Sequence, residues 1–143
     1  MRDNRRTTSL LAYMPDSILV VGGAGYIGSH MVKRLRRAGL HAVVADDLSS
    51  GHREAVLGAP LHVGDIGDAA FVDALLGEVR PAAVMHFAGF IQVGESVVDP
   101  GKYFRNNVSA TQVLLDAMRM HGIARFIFSS TAAIFGEPQY VPI

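Results

Sequence analysis

A short apolar run that opens directly into a glycine-rich turn constrains this chain more than any other feature. Residues 18–28 read Ile-Leu-Val-Val-Gly-Gly-Ala-Gly-Tyr-Ile-Gly, and a helical pattern follows at once. Gly23, Gly25 and Gly28 fit the spacing G-x-G-x-x-G, while Gly22, Gly25 and Gly28 fit G-x-x-G-x-x-G. In either spacing one glycine permits the tight turn from strand to helix, one lets backbone approach a pyrophosphate, and one lets helix and strand pack closely.

The surroundings of this turn distinguish it from an ordinary glycine-rich loop. A second strand pattern at 41–45 ends in Asp46. This acid lies about 20 residues beyond the glycines, where dinucleotide-binding folds place the acid that binds a ribose 2′-hydroxyl. The free N–H groups at the start of the first helix attract an anion. This combination predicts a dinucleotide site, because the strand, turn, helix, second strand and acid occur in the required order.

Strand and helix patterns alternate along the rest of the chain. We predict strands at 17–21, 41–46, 61–63, 82–87 and 125–129, and helices at 26–38, 69–80 and 100–121, with one helical turn near Arg53. This alternation predicts an α/β, Rossmann-type parallel sheet with helices on both faces and right-handed crossovers. The expected strand order is 3-2-1-4-5, with the ligand crevice at the carboxyl ends of strands one and four. Asp46, Asp65, Ala88 and Thr131 follow predicted strands and should line one rim.

Several local features lead to narrower expectations. His86 interrupts an otherwise apolar strand, and a buried, hydrogen-bonded histidine is preferred over a catalytic one. Asn106 and Asn107 fall in the middle of the last helix, where asparagine is a poor choice, so they indicate either a specific use or a surface position. Residues 88–98 are predicted to form a loop. The first helix is expected to bury a stripe that consists of Ile27, Met31, Leu35 and Ala38.

Composition and charge narrow the class of protein. A chain of 143 residues, half of them hydrophobic, suffices for one domain with a real core. Thirteen basic and thirteen acidic residues argue against nucleic acid or an anionic membrane as the main partner. Cysteine is absent, which excludes disulfides and thiolate metal sites, and no metal site is expected. No apolar run approaches the roughly 18 residues of a membrane span. We expect a cytoplasmic protein with a disordered extension at 1–16 and a cofactor-binding domain at 17–143.

Seven short blocks of the sequence occur in the order found in one known family. They are residues 22–30, 46–49, 64–66, 86–89, 93–97, 106–108 and 128–131. From about Ile18 onward the chain resembles UDP-glucose 4-epimerase (UDP-galactose 4-epimerase), a family of extended short-chain dehydrogenase/reductases. The resemblance implies an NAD site, a UDP-hexose substrate and an isomerase activity.

The resemblance also assigns residues to that NAD site. The pyrophosphate would be covered by Gly22, Gly25, Tyr26, Ile27 and Gly28. Asp46 would bind the adenosine ribose, which favours NAD over NADP. The adenosine wall would continue through Asp47, Leu48, Ser49, Ser50 and Gly51, and the adenine would be flanked by Asp65 and Ile66. Beneath the ribose and nicotinamide would lie Phe87, Ala88, Gly89, Phe90 and Ile91, with Asn106 reaching the same region. Thr131 matches the family's catalytic Ser/Thr, which hydrogen-bonds the sugar hydroxyl and assists proton transfer.

The family reaction inverts C4 of a hexose. Bound NAD takes a hydride from C4 while a tyrosine removes the hydroxyl proton, and the hydride returns to the other face after the 4-keto sugar has rotated. A lysine four residues after that tyrosine lowers the pKa of the phenol. None of the four tyrosines in this chain has a lysine at that spacing, and its two lysines are Lys33 and Lys102.

The missing pair leads to the expectation that this is the N-terminal part of an epimerase, truncated after the fifth strand and without the C-terminal substrate domain. Such a chain would not epimerise by itself, and its uncovered apolar surface would favour a homodimer or other self-association. Two alternatives remain. A non-catalytic NAD-binding or assembly module would also lack the Tyr/Lys pair. A nucleotide-sugar 4,6-dehydratase fragment is disfavoured, because Ala132 and Ala133 follow Thr131 where that class has Asp-Glu.

Overall fold

A parallel sheet of five strands forms the centre of the molecule. The computed structural model describes residues 17–131 together with Ile134, Gly136 and Tyr140, so the predicted disordered extension at 1–16 lies outside the described residues. The strands are β1 (Ser17–Val21), β2 (His41–Asp46), β3 (Leu61–Val63), β4 (Ala83–His86) and β5 (Phe126–Phe128). Their order is β3-β2-β1-β4-β5, and every pairing is parallel. The predicted fold class and strand order are confirmed.

The helices connect these strands across both faces of the sheet. They are α1 (Tyr26–Arg37), α2 (Ala69–Val79), α3 (Val93–Val98), α4 (Pro100–Phe104) and α5 (Ala110–Met120), with a 3₁₀ turn at Arg53–Val56. A π-helical segment, Arg105–Ser109, joins α4 to α5. The predicted last helix is therefore correct in extent but is not regular. The prediction of a loop at 88–98 was wrong for its second half, which forms α3. None of the helices in the described part of the chain has the length and hydropathy of a membrane span.

Alternation along the strands divides the core into two layers. Successive side chains of a strand point to opposite faces. In β1, Leu19 and Val21 pack with α2 and α5 on one face, while Val20 packs with α1 on the other. All three are at most 1% exposed. Because both faces of β1 are covered, its sequence is apolar from Ile18 to Val21, as expected of a central parallel strand.

Helix α1 buries the middle of the predicted stripe, since Leu35 is in the core and Met31 packs against it, but not its ends. Gly28, Val32 and Leu35 face the sheet, whereas Ile27 is 58% exposed. The helix approaches β1 most closely at Gly28, because that residue has no side chain to hold the two elements apart. The buried face is therefore centred on Gly28, Val32 and Leu35, and the two ends of the predicted stripe, Ile27 and Ala38, are exposed.

Helices α2 and α4 begin at the predicted caps. The Asp68 carboxylate accepts hydrogen bonds from the N–H groups of Ala70 and Phe71. The Asp99 carboxylate accepts a hydrogen bond from the backbone N–H of Lys102, and a proline follows at the first helical position. These acids satisfy donors that the helix itself leaves unpaired.

Candidate functional site

The glycine turn after β1 brings three glycines into three different roles. Gly22 has φ +76°, a left-handed conformation that favours glycine, and its N–H donates to the Ala45 carbonyl at 2.8 Å. A Cβ on Gly28 would lie 2.1 Å from the Gly22 carbonyl oxygen, so this residue sets the contact between α1 and β1. A Cβ on Gly25 would meet only that oxygen, at 3.4 Å. These three glycines have the spacing G-x-x-G-x-x-G, and Gly23 is confined as well, because a Cβ there would lie 2.7 Å from Val44 Cγ1 and 3.0 Å from the Val20 carbonyl oxygen.

The amino end of α1 opens onto the edge of the sheet without a side-chain cap. Gly25 is the N-cap residue, no side chain accepts a hydrogen bond there, and the first turn contains no acid. Backbone N–H groups at a helix start carry partial positive charge. Since no carboxylate of the first turn neutralises them, they are suited to an external anion such as a phosphate.

Asp46, at the end of β2, joins the glycine turn to the loop that follows it. Asp46 is 8% exposed, and its carboxylate accepts from the N–H groups of Ala24 and Leu48, both at 2.9 Å. The Ala24 carbonyl accepts from His52 at 3.0 Å, so Ala24 is bound to both ends of this loop. Each carboxylate oxygen keeps a further acceptor position, and these positions are suited to the hydroxyls of a ribose.

A cleft lies along the carboxyl ends of the strands, and we call it the rim cleft. Most of the residues predicted to bind the cofactor line it: Gly22, Gly25, Asp46, Asp47, Ser49, Ser50, Asp65, Ile66, Phe87, Ala88, Gly89, Phe90 and Asn106. Gly64 lines it too and was not predicted. Residues distant in sequence meet here because the carboxyl ends of parallel strands lie at one edge of the sheet.

The other predicted cofactor residues lie outside the rim cleft. Tyr26 is 83% exposed, and Gly28 is buried beneath Gly22. Leu48 packs into the core beside α1. A Cβ on Gly51 would lie 2.8 Å from the backbone of Ala24, so this glycine allows the loop to close on the turn. Leu48, Gly51 and Gly28 thus support the walls of the cleft.

A second cavity adjoins the rim cleft, and we call it the apolar pocket. Ile27, Ile91, Thr131 and Phe128 line it, together with residues 87–90, which also line the rim cleft. The segment after β4 is therefore the wall between the two cavities. Thr131, the predicted catalytic residue, opens into the apolar pocket together with Ser129 and Ser130.

His86 is buried and hydrogen-bonded at both ring nitrogens, as predicted. It is 1% exposed. Its Nδ1 accepts from the Ala88 N–H at 3.2 Å, which places the ring proton on Nε2, 2.9 Å from the Thr111 hydroxyl oxygen. Burial lowers the pKa of His86 from 6.5 to about 4. The ring is therefore neutral at physiological pH.

Asn107 holds the same wall segment from the π-helical turn, and it was not among the predicted site residues. Its Oδ1 accepts from the Phe90 N–H at 2.8 Å, and its Nδ2 donates to the Phe90 carbonyl at 2.9 Å. Asn106 donates to the same Oδ1 at 2.8 Å and lines the rim cleft. Two asparagines in mid-helix were the sequence signal for this use.

The Phe90 ring is supported from its side by charged and aromatic groups. Tyr103 meets the ring edge-on at a centroid distance of 5.7 Å, and Lys102 Nζ lies 5.0 Å from its centroid. Glu95 accepts from Lys102 at 2.5 Å and from Tyr103 at 2.8 Å, and these hydrogen bonds lower the pKa of Glu95. Burial, and then Glu95, raise the pKa of Tyr103. This tyrosine is thus held in its neutral form.

The strand order, the glycine turn and the acid after β2 define a Rossmann-type α/β domain. Residues 18–143 match the NAD dependent epimerase/dehydratase family, and the chain belongs to that family. A UDP-glucose 4-epimerase from Rhizobium leguminosarum bv. trifolii is 51% identical over 128 residues, covering 90% of this chain and 39% of the relative. One from Azospirillum brasilense is 54% identical over 127 residues, covering 88% of this chain and 36% of the relative.

Solved structures of the same class superpose on this chain. The crystal structure of UDP-glucose 4-epimerase from Brucella ovis in complex with NAD has a TM-score of 0.85 and 49% identity, covering 90% of this chain and 39% of that one. The enzyme from Bifidobacterium longum in complex with NAD⁺ and UDP has a TM-score of 0.84 and 34% identity, with 89% and 40% covered. The chain thus spans about 40% of the length of these relatives.

Proposed function

We propose that this chain is the NAD-binding part of a UDP-glucose 4-epimerase. The observation that carries the proposal is the juxtaposition of an uncapped helix start at Gly25 with the buried carboxylate of Asp46, across one cleft. The helix start suits a pyrophosphate, and the acid suits an unphosphorylated ribose, because a carboxylate would repel a 2′-phosphate. Relatives that are 49% and 34% identical were crystallised with NAD, which supports the same cofactor here.

The other residues of the proposed NAD site are assigned to the adenosine and nicotinamide parts of the cofactor. Asp65 and Ile66 would flank the adenine, and the loop from Asp47 to Ser50 would close the adenosine end. The wall segment 87–90 and Asn106 would support the cofactor beyond its pyrophosphate. Tyr26, Ile27 and Ile91, which do not line the rim cleft, are assigned to the cofactor by the family resemblance alone.

Replacing Gly25 by alanine should reduce NAD affinity by about tenfold or more, while the fold is retained. The added methyl group has room in the protein, with its nearest neighbour at 3.4 Å, but it occupies the surface that the pyrophosphate must approach. Calorimetric titration with NAD measures the affinity, and urea unfolding measures the stability. Gly77→Ala is the matched control, since its methyl group also has room and lies on α2. Equal NAD affinity in both variants and the wild type would refute the site.

We further propose a role in the interconversion of UDP-glucose and UDP-galactose, within cytoplasmic galactose metabolism. Thr131 would bind the sugar hydroxyl at the mouth of the apolar pocket, where it lies beside Ser129 and Ser130. Large apolar side chains are exposed on α4, on the π-helical segment and on β5, including Phe104, Val108 and Phe128. These exposed groups support the proposal of a homodimer or other self-association.

The 143-residue chain alone is expected to show no epimerase turnover. The reaction needs a tyrosine of lowered pKa, and no Tyr-x-x-x-Lys occurs in these residues. Lys102 is paired with Glu95, and burial raises rather than lowers the pKa of Tyr103. Conversion of UDP-galactose, followed by NADH formation with UDP-glucose dehydrogenase, measures the activity. The full-length Azospirillum brasilense enzyme is the positive control, and turnover above the blank by this chain would contradict the expectation.

A non-catalytic NAD-binding module is the second candidate. The absence of the Tyr/Lys pair in these 143 residues favours it as directly as it favours a partial enzyme. The reading frame downstream of the codon for Ile143 separates the two: a Tyr-x-x-x-Lys encoded there supports the epimerase. The dehydratase alternative is disfavoured by the sequence at Ala132 and Ala133, and these two positions lie outside the described residues.

A further inference from the structure

A continuous set of hydrogen bonds connects the end of β4 to the π-helical turn, and we call it the His86–Asn107 network. The Ala88 N–H donates to His86 Nδ1 at 3.2 Å, and His86 Nε2–H donates to the Thr111 hydroxyl oxygen at 2.9 Å. That hydroxyl donates in turn to the Asn107 carbonyl at 3.0 Å. The Asn107 side chain then closes on both backbone groups of Phe90. The wall segment is thus held at Ala88 and again at Phe90.

Thr111 is the link between the two ends of this network. A π-helical turn replaces the usual i→i+4 hydrogen bonds by i→i+5 bonds, which displaces carbonyl groups that then need other donors. The Thr111 hydroxyl supplies such a donor to Asn107 while accepting from His86. It therefore couples the position of the π-helical turn, which carries Asn106 and Asn107, to the position of the strand end.

The wall segment has little freedom to shift without disturbing the cleft. Gly22 lies so close to it that a Cβ there would be 2.6 Å from the Ala88 nitrogen. Residues 87–90 and Asn106 line the rim cleft, whereas Thr111 lines neither the rim cleft nor the apolar pocket. Thr111 thus acts on the cleft through the residues that it holds.

We propose that Thr111, acting with His86, is a positioning residue for the cofactor: it holds the 88–90 segment and aims Asn106 into the rim cleft. This inference rests on the proposed NAD site. Its mechanism is preorganisation, since groups held in place by the folded protein do not have to be ordered when the ligand binds.

Thr111→Val tests the proposal, because valine keeps the branched shape and removes the hydroxyl. We expect NAD affinity to fall about tenfold, because the wall segment and Asn106 are then no longer held in place and have to be ordered when the ligand binds. Thr111→Ser keeps the hydroxyl and should bind NAD within about twofold of the wild type. Asp68→Ala is the stability-matched control: it removes the N-cap of α2 at a cost comparable to a lost hydrogen bond, and it is remote from the cleft.

The control separates positioning from a general loss of stability. Weak NAD binding by Thr111→Val, together with near-normal binding by Thr111→Ser and Asp68→Ala, would support the proposal. Equal affinities in Thr111→Val and the wild type would overturn it, as would an equal loss in Asp68→Ala. Amide hydrogen exchange gives a second readout that needs no ligand. The Ala88 and Phe90 amides should exchange faster in Thr111→Val and not in Asp68→Ala.

Failure of the inference and failure of the proposed function give different results. If the wild-type chain did not bind NAD, the proposed function would be overturned, and the role in cofactor binding with it. The exchange rates of Ala88 and Phe90 would still decide whether Thr111 holds the wall segment. If the wild-type chain binds NAD and these amides are unaffected by Thr111→Val, the positioning role alone is overturned.

Discussion

Gly28→Ala is expected to destabilise the chain by about 3 kcal/mol or more and to abolish NAD binding. Its Cβ would lie 2.1 Å from the Gly22 carbonyl oxygen and 2.8 Å from both the Gly22 carbonyl carbon and the Gly23 Cα. All three atoms belong to the backbone, so no side-chain rotation relieves the overlap. The methyl group would have to force α1 away from β1, and the helix start that faces the rim cleft would move with it.

Urea unfolding of wild type and variant measures this effect. Gly77→Ala again serves as the matched control, since its nearest neighbour would be His121 Cε1 at 3.4 Å. Within helix α2 the change from glycine to alanine should stabilise the protein by up to about 1 kcal/mol. The same substitution is thus expected to have opposite signs at the two positions. A stable Gly28→Ala variant would show that contact between helix and strand at this glycine does not hold the fold together.

Lowering the pH from 6.5 to about 4 is expected to reduce the free energy of unfolding by up to about 3 kcal/mol through His86 alone. Burial lowers the pKa of His86 to about 4 in the folded protein, against 6.5 for an unperturbed histidine. Between these two values the unfolded chain binds a proton that the folded chain excludes. Protonation therefore favours unfolding, and stability rises with pH across this window.

Urea unfolding at a series of pH values, in wild type and His86→Gln, isolates this contribution. Glutamine offers a donor toward Thr111 but does not titrate. The variant is expected to be less stable at pH 7.5, because the buried ring and its packing are lost. On acidification it should lose less stability than the wild type, because it has no imidazole to protonate. The other five histidines and all acids are common to both proteins, and their contributions cancel in the difference. Parallel pH profiles would mean that His86 titrates normally, in conflict with its burial.

Local sequence sufficed for the strands, the strand order and the glycine turn. A run of β-branched residues followed by closely spaced glycines permits few backbone paths, and Asp68 and Asp99 mark helix starts by pairing with nearby N–H groups. The rim itself followed from topology, because parallel strands end at the same edge. These features depend on residues within a few positions of one another or on the general rules of α/β folds.

Features that depend on contacts between distant segments could not be predicted from local sequence patterns. The π-helical turn exists together with two hydrogen bonds between the Asn107 side chain and the backbone of Phe90, 17 residues earlier. Likewise, the apolar stripe of α1 predicted Met31 and Leu35 correctly, but the start of the helix packs Gly28 against Gly22 and leaves Ile27 exposed. Periodicity describes one helix in isolation, whereas these choices were made by neighbours that only the fold supplies.

The amino-acid sequence by itself thus determined the class of fold, the glycine turn and the acid placed across from it. Tertiary structure alone decided which predicted residues line the rim cleft, which of them only support it, and how His86 and Thr111 hold its wall. The physical reason is the sequence distance over which each interaction acts. Turns, caps and alternation follow from neighbouring residues. Burial, side-chain hydrogen bonds and lowered pKa values follow from what the completed fold packs around each group.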